Sequence, residues 1–190
     1  MSNNFVIVIS SPSGGGKTTL CRMILENMEC IVYSVSATTR PKRHNEKDGK
    51  NYEFMEEDEF KRKKEEGYFA ETANVHGHLY GTPKKNIDNA IESGCDVLMD
   101  LDVKGALSIM ELYSDAVTVF VLPPSLEELK KRLIERKTDS MTVIEKRLSN
   151  AKEEMHYAHK FKYRVVNDDI DDAYRKIEEL INKERARRNR

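Results

Sequence analysis

The sequence predicts an α/β fold in which a parallel sheet is flanked by helices. The apolar, β-branched run 5–9 is followed by a loop of small residues, 10–16, that leads into a helix. In the second half of the chain, apolar runs of strand length alternate with helical patterns, which is typical of parallel strands joined by right-handed crossovers. The polar stretch 36–90 interrupts this alternation, so we expect it to be an insertion.

The overall composition indicates one compact domain with a heavily charged surface. Of its 190 residues, 38% are hydrophobic and 34% are charged, which suffices for one core of ordinary size. A formal net charge of −1 favours neither nucleic acid nor a membrane as partner, and no apolar run approaches the ~20 residues that span a bilayer. The three cysteines lack metal-ligand spacing, and the first residues lead straight into a strand, so we expect reduced thiols and a cytoplasmic location.

The first strand ends at a loop with the layout of a P-loop, so the predicted core is that of a P-loop NTPase. Its backbone N–H groups and the N-terminus of the next helix can surround a phosphate. Lys17 can reach the outer phosphates of a nucleotide, and the Thr18 hydroxyl can bind Mg²⁺. Ser11 stands where the usual pattern has glycine, and an ordinary glycine-rich turn is the alternative. The residues assigned to this site are Ser11, Pro12, Ser13, Gly14, Gly15, Gly16, Lys17, Thr18 and Thr19.

The elements before residue 95 follow from apolar spacing and from glycine and proline. Apolar residues at helical spacing predict a helix over 18–28, and the apolar run 30–35 predicts a second strand. The polar, basic stretch 36–50 is expected to be a loop. The elements predicted next are a short strand over 52–55, a charged helix over 56–66 ending at Gly67, extended segments over 68–75 and 78–80, and a helix over 83–93 that starts at Pro83.

In the second half, strands and helices alternate. The mainly apolar runs 95–101, 116–122 and 163–166 predict strands, and 95–101 is of the buried type. The predicted helices cover 104–112, 125–136, 142–159 and 168–187. Ser125 with Glu128, and Thr142 with Glu145, have the spacing of capping boxes and mark two helix starts. Residues 137–141 are predicted to be a break, and the basic end of the chain, 184–190, a solvated and fraying helix end.

Several segments together resemble the guanylate kinases, and they follow that family's order along nearly the whole chain. They are Ser34-Val-Ser-Ala-Thr-Thr-Arg-Pro-Lys-Arg43, Asp48-Gly-Lys-Asn-Tyr-Glu-Phe54, Tyr68-Phe-Ala-Glu71, Tyr80-Gly-Thr82, Leu98-Met-Asp-Leu-Asp-Val-Lys-Gly105, Leu129-Lys-Lys-Arg-Leu133 and Val166-Asn-Asp168. The resemblance implies a single domain over 1–190. Its implied parts are a core of 1–35, 91–126 and 161–190, a GMP-binding insert over 36–90 and a helical lid over 127–160.

The polar middle segment carries the residues expected to hold the acceptor nucleotide. The planar guanidinium groups of Arg40 and Arg43 suit the oxygens of a phosphate, and Tyr52 and Tyr80 can add phenolic donors. By resemblance, these four hold the phosphate of GMP. The alternatives are surface charge for the arginines and simple packing for the tyrosines.

Glu71 resembles the carboxylate with which the family recognises guanine. A carboxylate can accept both the N1–H and the 2-amino donor of guanine, and adenine lacks this pair of donors. Ser36 and Thr82 resemble the hydroxyls that complete the base pocket. The alternative is a surface position for Glu71.

Asp100 and Asp102 lie two residues apart at the end of a predicted strand, so their side chains point to the same face. Ligands bind at this edge of a parallel sheet, and in P-loop enzymes an acidic residue here supports Mg²⁺, often through water. We assign this role to Asp100 and a supporting one to Asp102, and both are also candidates for the GMP site. The alternative is that both cap the following helix.

Three arginines in the predicted lid are candidates for contact with the phosphates of ATP. Arg132 and Arg136 share one helix face, and Arg147 lies on the next helix. The expected catalytic set is Lys17, Arg43, Arg136 and Arg147, with Arg132 and Arg136 also in the ATP site. Asn167 and Asp168 resemble the family's contact to adenine. The alternative for the arginines is a salt-bridged helix surface.

The resemblance implies transfer of the terminal phosphoryl group of ATP to GMP or dGMP, with Mg²⁺ as cofactor. A kinase for another nucleoside monophosphate is one alternative, because it would share the P-loop and the lid. A non-catalytic, guanylate-kinase-like module that binds proteins is the other. The sequence leaves the oligomeric state undecided between a monomer and a homo-oligomer.

Overall fold

The structure is a computed structural model that describes residues 3–75, 77–135 and 140–189. Its main sheet has the strand order β2-β7-β1-β8-β9, and all neighbouring strands are parallel. These strands are β1 (Val6–Ser10), β2 (Ile31–Tyr33), β7 (Asp96–Asp100), β8 (Val117–Leu122) and β9 (Tyr163–Val166). The prediction of an α/β fold with a parallel sheet is therefore confirmed.

Helices cover both faces of the main sheet, and β1 shows why the sequence requires this. Successive side chains of a strand point to opposite faces, and every residue of β1 is buried. Ile7 and Ile9 pack towards α1 (Lys17–Asn27) and α7 (Ile170–Arg188). Val6 and Val8 pack towards α3 (Lys84–Glu92) and α4 (Val103–Leu112). An apolar strand of this kind is stable only between two helical layers.

The middle of the chain forms a second, mixed sheet with the order β4-β3-β6-β5. Its strands are β3 (Ala37–Thr38), β4 (Glu53–Phe54), β5 (Phe69–Val75) and β6 (His78–Pro83). The helix α2 (Glu57–Glu65) covers this sheet, and the ring centroid of its Phe60 lies 4.5 Å from that of Phe69. Strand β3 lies inside the stretch 36–50 that we predicted to be a loop. That prediction was wrong for these two residues, because their strand partner β6 lies about 40 residues away and leaves no local pattern.

Two further helices, α5 (Leu126–Glu135) and α6 (Met141–His156), bury Leu129, Leu133, Ile144 and Ala151 against each other. A short 3₁₀ helix, Tyr157–Lys160, then leads to β9. The predicted cap at Ser125 is confirmed, because its Oγ accepts a hydrogen bond from the N–H of Glu128 at 3.1 Å. The cap predicted at Thr142 is wrong: α6 begins at Met141, and Ser140 occupies the N-cap position.

The basic end of the chain is docked, in contrast to the solvated, fraying end that we predicted. Helix α7 continues to Arg188. The Arg185 guanidinium lies 2.7 Å from the Asp96 carboxylate, and Arg188 makes an ion pair of 2.7 Å with Asp115. The prediction failed because the partners of these arginines lie elsewhere in the sequence.

Candidate active site

The loop between β1 and α1 curls around the N-terminus of α1. Gly14 and Gly16 have φ values of 96° and 92°, and the N–H of Gly15 donates to the carbonyl of Pro12 at 2.9 Å. Glycine adopts this left-handed conformation without steric cost. Ser11 needs no such conformation, since Cys30 is the only non-glycine residue with positive φ in the described part of the chain. The serine at this position therefore causes no backbone strain.

Lys17, Thr18 and Asp100 form a contact between the loop and the end of β7. The Lys17 Nζ lies 2.5 Å from Asp100 Oδ1 and 3.0 Å from the carbonyl of Leu101. The Thr18 hydroxyl lies 3.3 Å from Asp100 Oδ2. The carboxyl edge of the sheet thus holds an ammonium group, a hydroxyl and a carboxylate side by side, at the mouth of the loop.

A cleft of about 1120 Å³ opens in front of this loop. All nine loop residues predicted for the donor site line it, including Thr19. The opposite wall comes from α6, whose residues Arg147, Asn150 and Glu154 line it at helical spacing. The Glu154 carboxylate accepts a hydrogen bond from the N–H of Ser13 at 3.3 Å, and burial raises its pKa. The predicted lid residue Arg147 therefore lies at the cleft.

The second sheet brings together three of the four groups predicted to hold a phosphate, namely Arg40, Tyr52 and Tyr80. The Arg40 guanidinium carbon lies 5.4 Å from the ring centroid of Tyr52, and the rings of Tyr52 and Tyr80 meet edge to face at 5.9 Å. Arg40 makes an ion pair of 2.6 Å with Glu46. The other oxygen of Glu46 accepts the backbone N–H of Arg43 at 2.8 Å, while the Arg43 side chain is exposed.

Glu71 on β5 is a buried carboxylate next to the second pair of candidate residues. It is 7% exposed and accepts a hydrogen bond from the Thr82 hydroxyl at 2.7 Å. Its Oε2 lies 3.0 Å from where a Cβ of Gly105 would stand, so a side chain at that point of α4 would crowd the carboxylate. Burial raises the pKa of Glu71, and the nearby Asp102 carboxylate acts in the same direction. The alternative of a surface position for Glu71 is wrong.

Asp102 caps α4: it accepts the N–H of Gly105 at 2.7 Å. This is the alternative that we kept for both aspartates, and it describes Asp102 but not Asp100, which contacts Lys17 and Thr18. Ser36 lies half-buried between β2 and β3, where its carbonyl accepts the N–H of Glu53 at 2.9 Å.

Three of the other predicted donor-site residues contact one another or the loop but do not line the cleft. The two terminal nitrogens of the Arg132 guanidinium donate to the carbonyls of Asn167 and Asp168, at 3.0 and 3.2 Å. Asn167 is buried and donates its side-chain amide to the carbonyl of Gly15 at 2.8 Å. Neither Arg132, Asn167 nor Asp168 lines the cleft. Arg136 lies outside the described residues.

Sequence reasoning missed Glu46, Glu154 and Asn150. Glu46 follows Arg40 by six residues in a loop rich in basic groups, and such an isolated acid among cations is a signal that could have identified it. Asn150 and Glu154 lie three and seven residues after Arg147 on one helix, so extending the helix-face argument from that arginine would have found both.

The family model described as "Guanylate kinase" matches residues 3–184. The chain belongs to the guanylate kinase family. Curated guanylate kinases agree with it over most of their length. The protein of Caldanaerobacter subterraneus subsp. tengcongensis is 46% identical over 97% of this chain and 90% of its own. That of Thermotoga maritima is 43% identical over 96% of this chain and 88% of its own.

A solved guanylate kinase structure has the same fold. The crystal structure of guanylate kinase from Anaplasma phagocytophilum superposes with a TM-score of 0.79 at 35% identity, over 97% of this chain and 88% of that chain. Both the five-stranded sheet and the small mixed sheet of this family member therefore belong to a guanylate kinase fold.

In the described part of this chain, no helix has the length and apolar character needed to cross a membrane.

Proposed function

We propose that this chain transfers the terminal phosphoryl group of ATP to GMP, giving ADP and GDP. Its membership of the guanylate kinase family supports this reaction. The observation that carries the proposal is the position of β7 and α4 between two sites. At the end of β7, Asp100 contacts Lys17 of the phosphate loop. Directly after it, Gly105 of α4 lies against the buried carboxylate of Glu71.

On the donor side, the loop N–H groups and Lys17 would hold the phosphates of ATP. Mg²⁺ is part of the proposal, and the oxygens of Thr18 and Asp100 fit it, because Mg²⁺ prefers hard oxygen ligands and takes few from the protein. No group of three or more His, Cys, Asp or Glu suited to a metal occurs among residues 3–75, 77–135 and 140–189, and a site completed by nucleotide phosphates and water needs none. Bound Mg²⁺ would neutralise charge on the phosphates.

On the acceptor side, Arg40, Arg43, Tyr52 and Tyr80 would hold the phosphate of GMP. The proximity of Arg40 to both tyrosines supports this assignment. Glu71, with Thr82 and Ser36, would recognise guanine. A buried carboxylate with one of its two oxygens bonded to Thr82 retains acceptor capacity for the two donors of the base. A wrong base would leave buried polar groups unpaired.

The transfer itself needs no protein base, because the attacking oxygen of GMP is already anionic. Catalysis then depends on alignment of the two nucleotides and on positive charge around the moving group. Lys17, Arg43 and Arg147 would supply this charge, with no reorganisation at the moment of reaction. The division into a GMP-binding insert over 36–90 and a lid over 127–160 belongs to the same proposal. Both parts have small apolar clusters of their own, which supports it.

A steady-state assay of the purified chain with ATP, Mg²⁺ and GMP, dGMP, AMP, UMP or CMP tests the proposal. We expect GMP to have the highest kcat/KM, with dGMP as the second substrate. A preference for AMP would refute the assignment of the guanine site. No turnover with any acceptor, in a sample that binds both nucleotides, would refute phosphoryl transfer and favour a protein-binding module.

A further inference from the structure

Asn167 is a buried polar side chain that bonds the phosphate loop directly, a contact that the reaction steps proposed above do not use. It follows β9, and its backbone N–H extends the sheet by donating to the carbonyl of Leu122 at 2.8 Å. Its side chain is 3% exposed and donates from Nδ2 to the carbonyl of Gly15 at 2.8 Å. A buried amide that bonds a loop carbonyl fixes the conformation of that loop, because leaving either group unpaired costs free energy.

The loop is shaped to admit this amide. Gly16 has a φ of 92°, and a Cβ at this residue would collide with Asn167 Nδ2. A side chain at position 16 would therefore displace the amide from beneath the loop.

The bond to Gly15 determines where the next N–H points. In a trans peptide the carbonyl oxygen and the following N–H lie on opposite sides of the bond. Asn167 holds the Gly15 oxygen on the side away from the cleft, since Asn167 is not among the residues that line the cleft. With the Gly15 oxygen held in this way, the N–H of Gly16 would point towards the inner side of the loop, where a phosphate could accept it.

Arg132 holds Asn167 from the other side. Its guanidinium donates to the carbonyls of Asn167 and Asp168, and its Nε lies 3.4 Å from a carboxylate oxygen of Glu128. Because Arg132 and Glu128 belong to α5, this helix is linked through Asn167 to the phosphate loop.

We propose that Asn167 is a positioning residue that sets the conformation of the donor phosphate loop, and that Arg132 secures it from α5. This inference rests on the proposed function only in that the loop binds the phosphates of ATP. This role of Asn167 differs from a contact to adenine, because it would affect the binding of any polyphosphate, with or without a base.

The test compares Asn167→Asp and Asn167→Ala with the unchanged protein by titration calorimetry. The ligands are ATP, inorganic tripolyphosphate and GMP, the first two with Mg²⁺. The aspartate keeps the shape of the side chain but replaces the donor with an acceptor. The alanine removes the donor without adding charge, and it keeps the test open if the aspartate variant does not fold. We expect both variants to bind ATP and tripolyphosphate about tenfold more weakly than the unchanged protein. Their affinity for GMP should change by less than twofold.

Asn27→Asp is the matched control. Asn27 also donates Nδ2 to a backbone carbonyl at 2.8 Å, that of Met23, but on the exposed side of α1. The control makes the same chemical change and should leave all three affinities unchanged. Weaker ATP binding with unchanged tripolyphosphate binding would mean a contact to the base and would overturn the proposal, as would unchanged affinity for both. Absence of GMP phosphorylation by the unchanged protein would refute the proposed function instead.

Discussion

Replacement of Glu71 by glutamine separates recognition of guanine from stability of the fold. The side chain is buried on β5, and its one hydrogen bond from a side chain comes from the Thr82 hydroxyl, at 2.7 Å. Glutamine has the same shape, but it carries no charge and presents an NH₂ group where one carboxylate oxygen was. The substitution therefore changes the chemistry of the site without creating a cavity.

The expected loss follows from the two guanine donors. A hydrogen bond to a charged acceptor contributes about 1.5–3 kcal/mol, and a neutral one about half of this. Glutamine can accept one donor through its carbonyl, while its NH₂ group opposes the other. A loss of about 3 kcal/mol corresponds to roughly a 100-fold rise in KM for GMP. KM for ATP should change by less than twofold.

The same substitution should leave the free energy of unfolding at pH 7 unchanged or raise it. Burial raises the pKa of Glu71 above its ordinary value of 4.5, so the folded chain binds this proton more tightly than the unfolded chain. The contribution of Glu71 to stability is therefore greatest below the unfolded pKa and is lost as pH rises through the folded pKa. At neutral pH the charged form is the costly one, and glutamine removes that cost.

Glu184→Gln is the matched control, since Glu184 is also a buried glutamate but its pKa is shifted in the opposite direction. Lys162 and Arg187 lie within 2.6 and 3.1 Å of its oxygens, and the pKa is lowered to about 2. Its stabilising contribution is present above the ordinary pKa of 4.5 and is lost as pH falls towards 2. Because the folded chain favours the charged form of Glu184 to the extent of this lowered pKa, the control should lose about 3 kcal/mol of stability at pH 7, with KM for GMP unchanged.

The assay combines steady-state kinetics with urea unfolding of both variants at pH 7. An unchanged KM for GMP in Glu71→Gln would refute the role of this carboxylate in recognition. A loss of several kcal/mol of stability in the same variant would refute the reasoning from its raised pKa.

Three further substitutions or conditions test other parts of the site and the fold. Lys17→Ala should lower kcat by about 100- to 1000-fold with GMP affinity unchanged in a titration; a rate near that of the unchanged protein would exclude Lys17 from charge stabilisation. Affinity for GMP should weaken on acidification, as pH falls through the raised pKa of Glu71 and protonation removes one acceptor; a flat profile for the unchanged protein would contradict this. Arg185→Gln leaves the Asp96 carboxylate, 2% exposed, without its cation and should cost about 3 kcal/mol. This loss corresponds to roughly 6–12 °C in Tm, whereas Arg22→Gln in an exposed pair should change Tm little.

The parts of the fold that follow from local pattern were predictable from the sequence. The strand predicted over 116–122 is apolar except for Thr118, and the structure has β8 there. Of the three glycines before Lys17, two have positive φ, and a Cβ on the third would lie 2.9 Å from that of Ser11, so the composition of the loop indicates its shape. Contacts that depend on the pairing of distant strands were harder to predict from the sequence. Strand β3 has two residues and is defined by a partner in β6.

Side-chain partners across the fold were the least predictable. Nothing near Arg132 in the sequence shows that its guanidinium bonds two carbonyls 35 and 36 residues away. Asn167 likewise bonds a carbonyl 152 residues away, and a resemblance to an adenine contact gave no indication of that bond. The two aspartates at the end of β7 show the limit of spacing arguments. The spacing predicted that their side chains share a face, yet Asp100 contacts the lysine of the loop while Asp102 caps a helix.

The docked end of α7 has a consequence for the order in which the molecule acquires its native form during synthesis. Arg185 bonds the carbonyls of Glu29 and Cys30 as well as Asp96, and Asp96 in turn accepts the N–H of Phe5. The sequence separation of 156 residues from Glu29 to Arg185 takes roughly 8–30 s to translate at about 5–20 residues per second. Throughout that interval the first strand lacks the helix that covers one of its faces. A nascent chain stalled before α7 would expose this apolar face to chaperones and proteases, and the phosphate loop would gain its hydrogen bond from Asn167 only after β9 has been made.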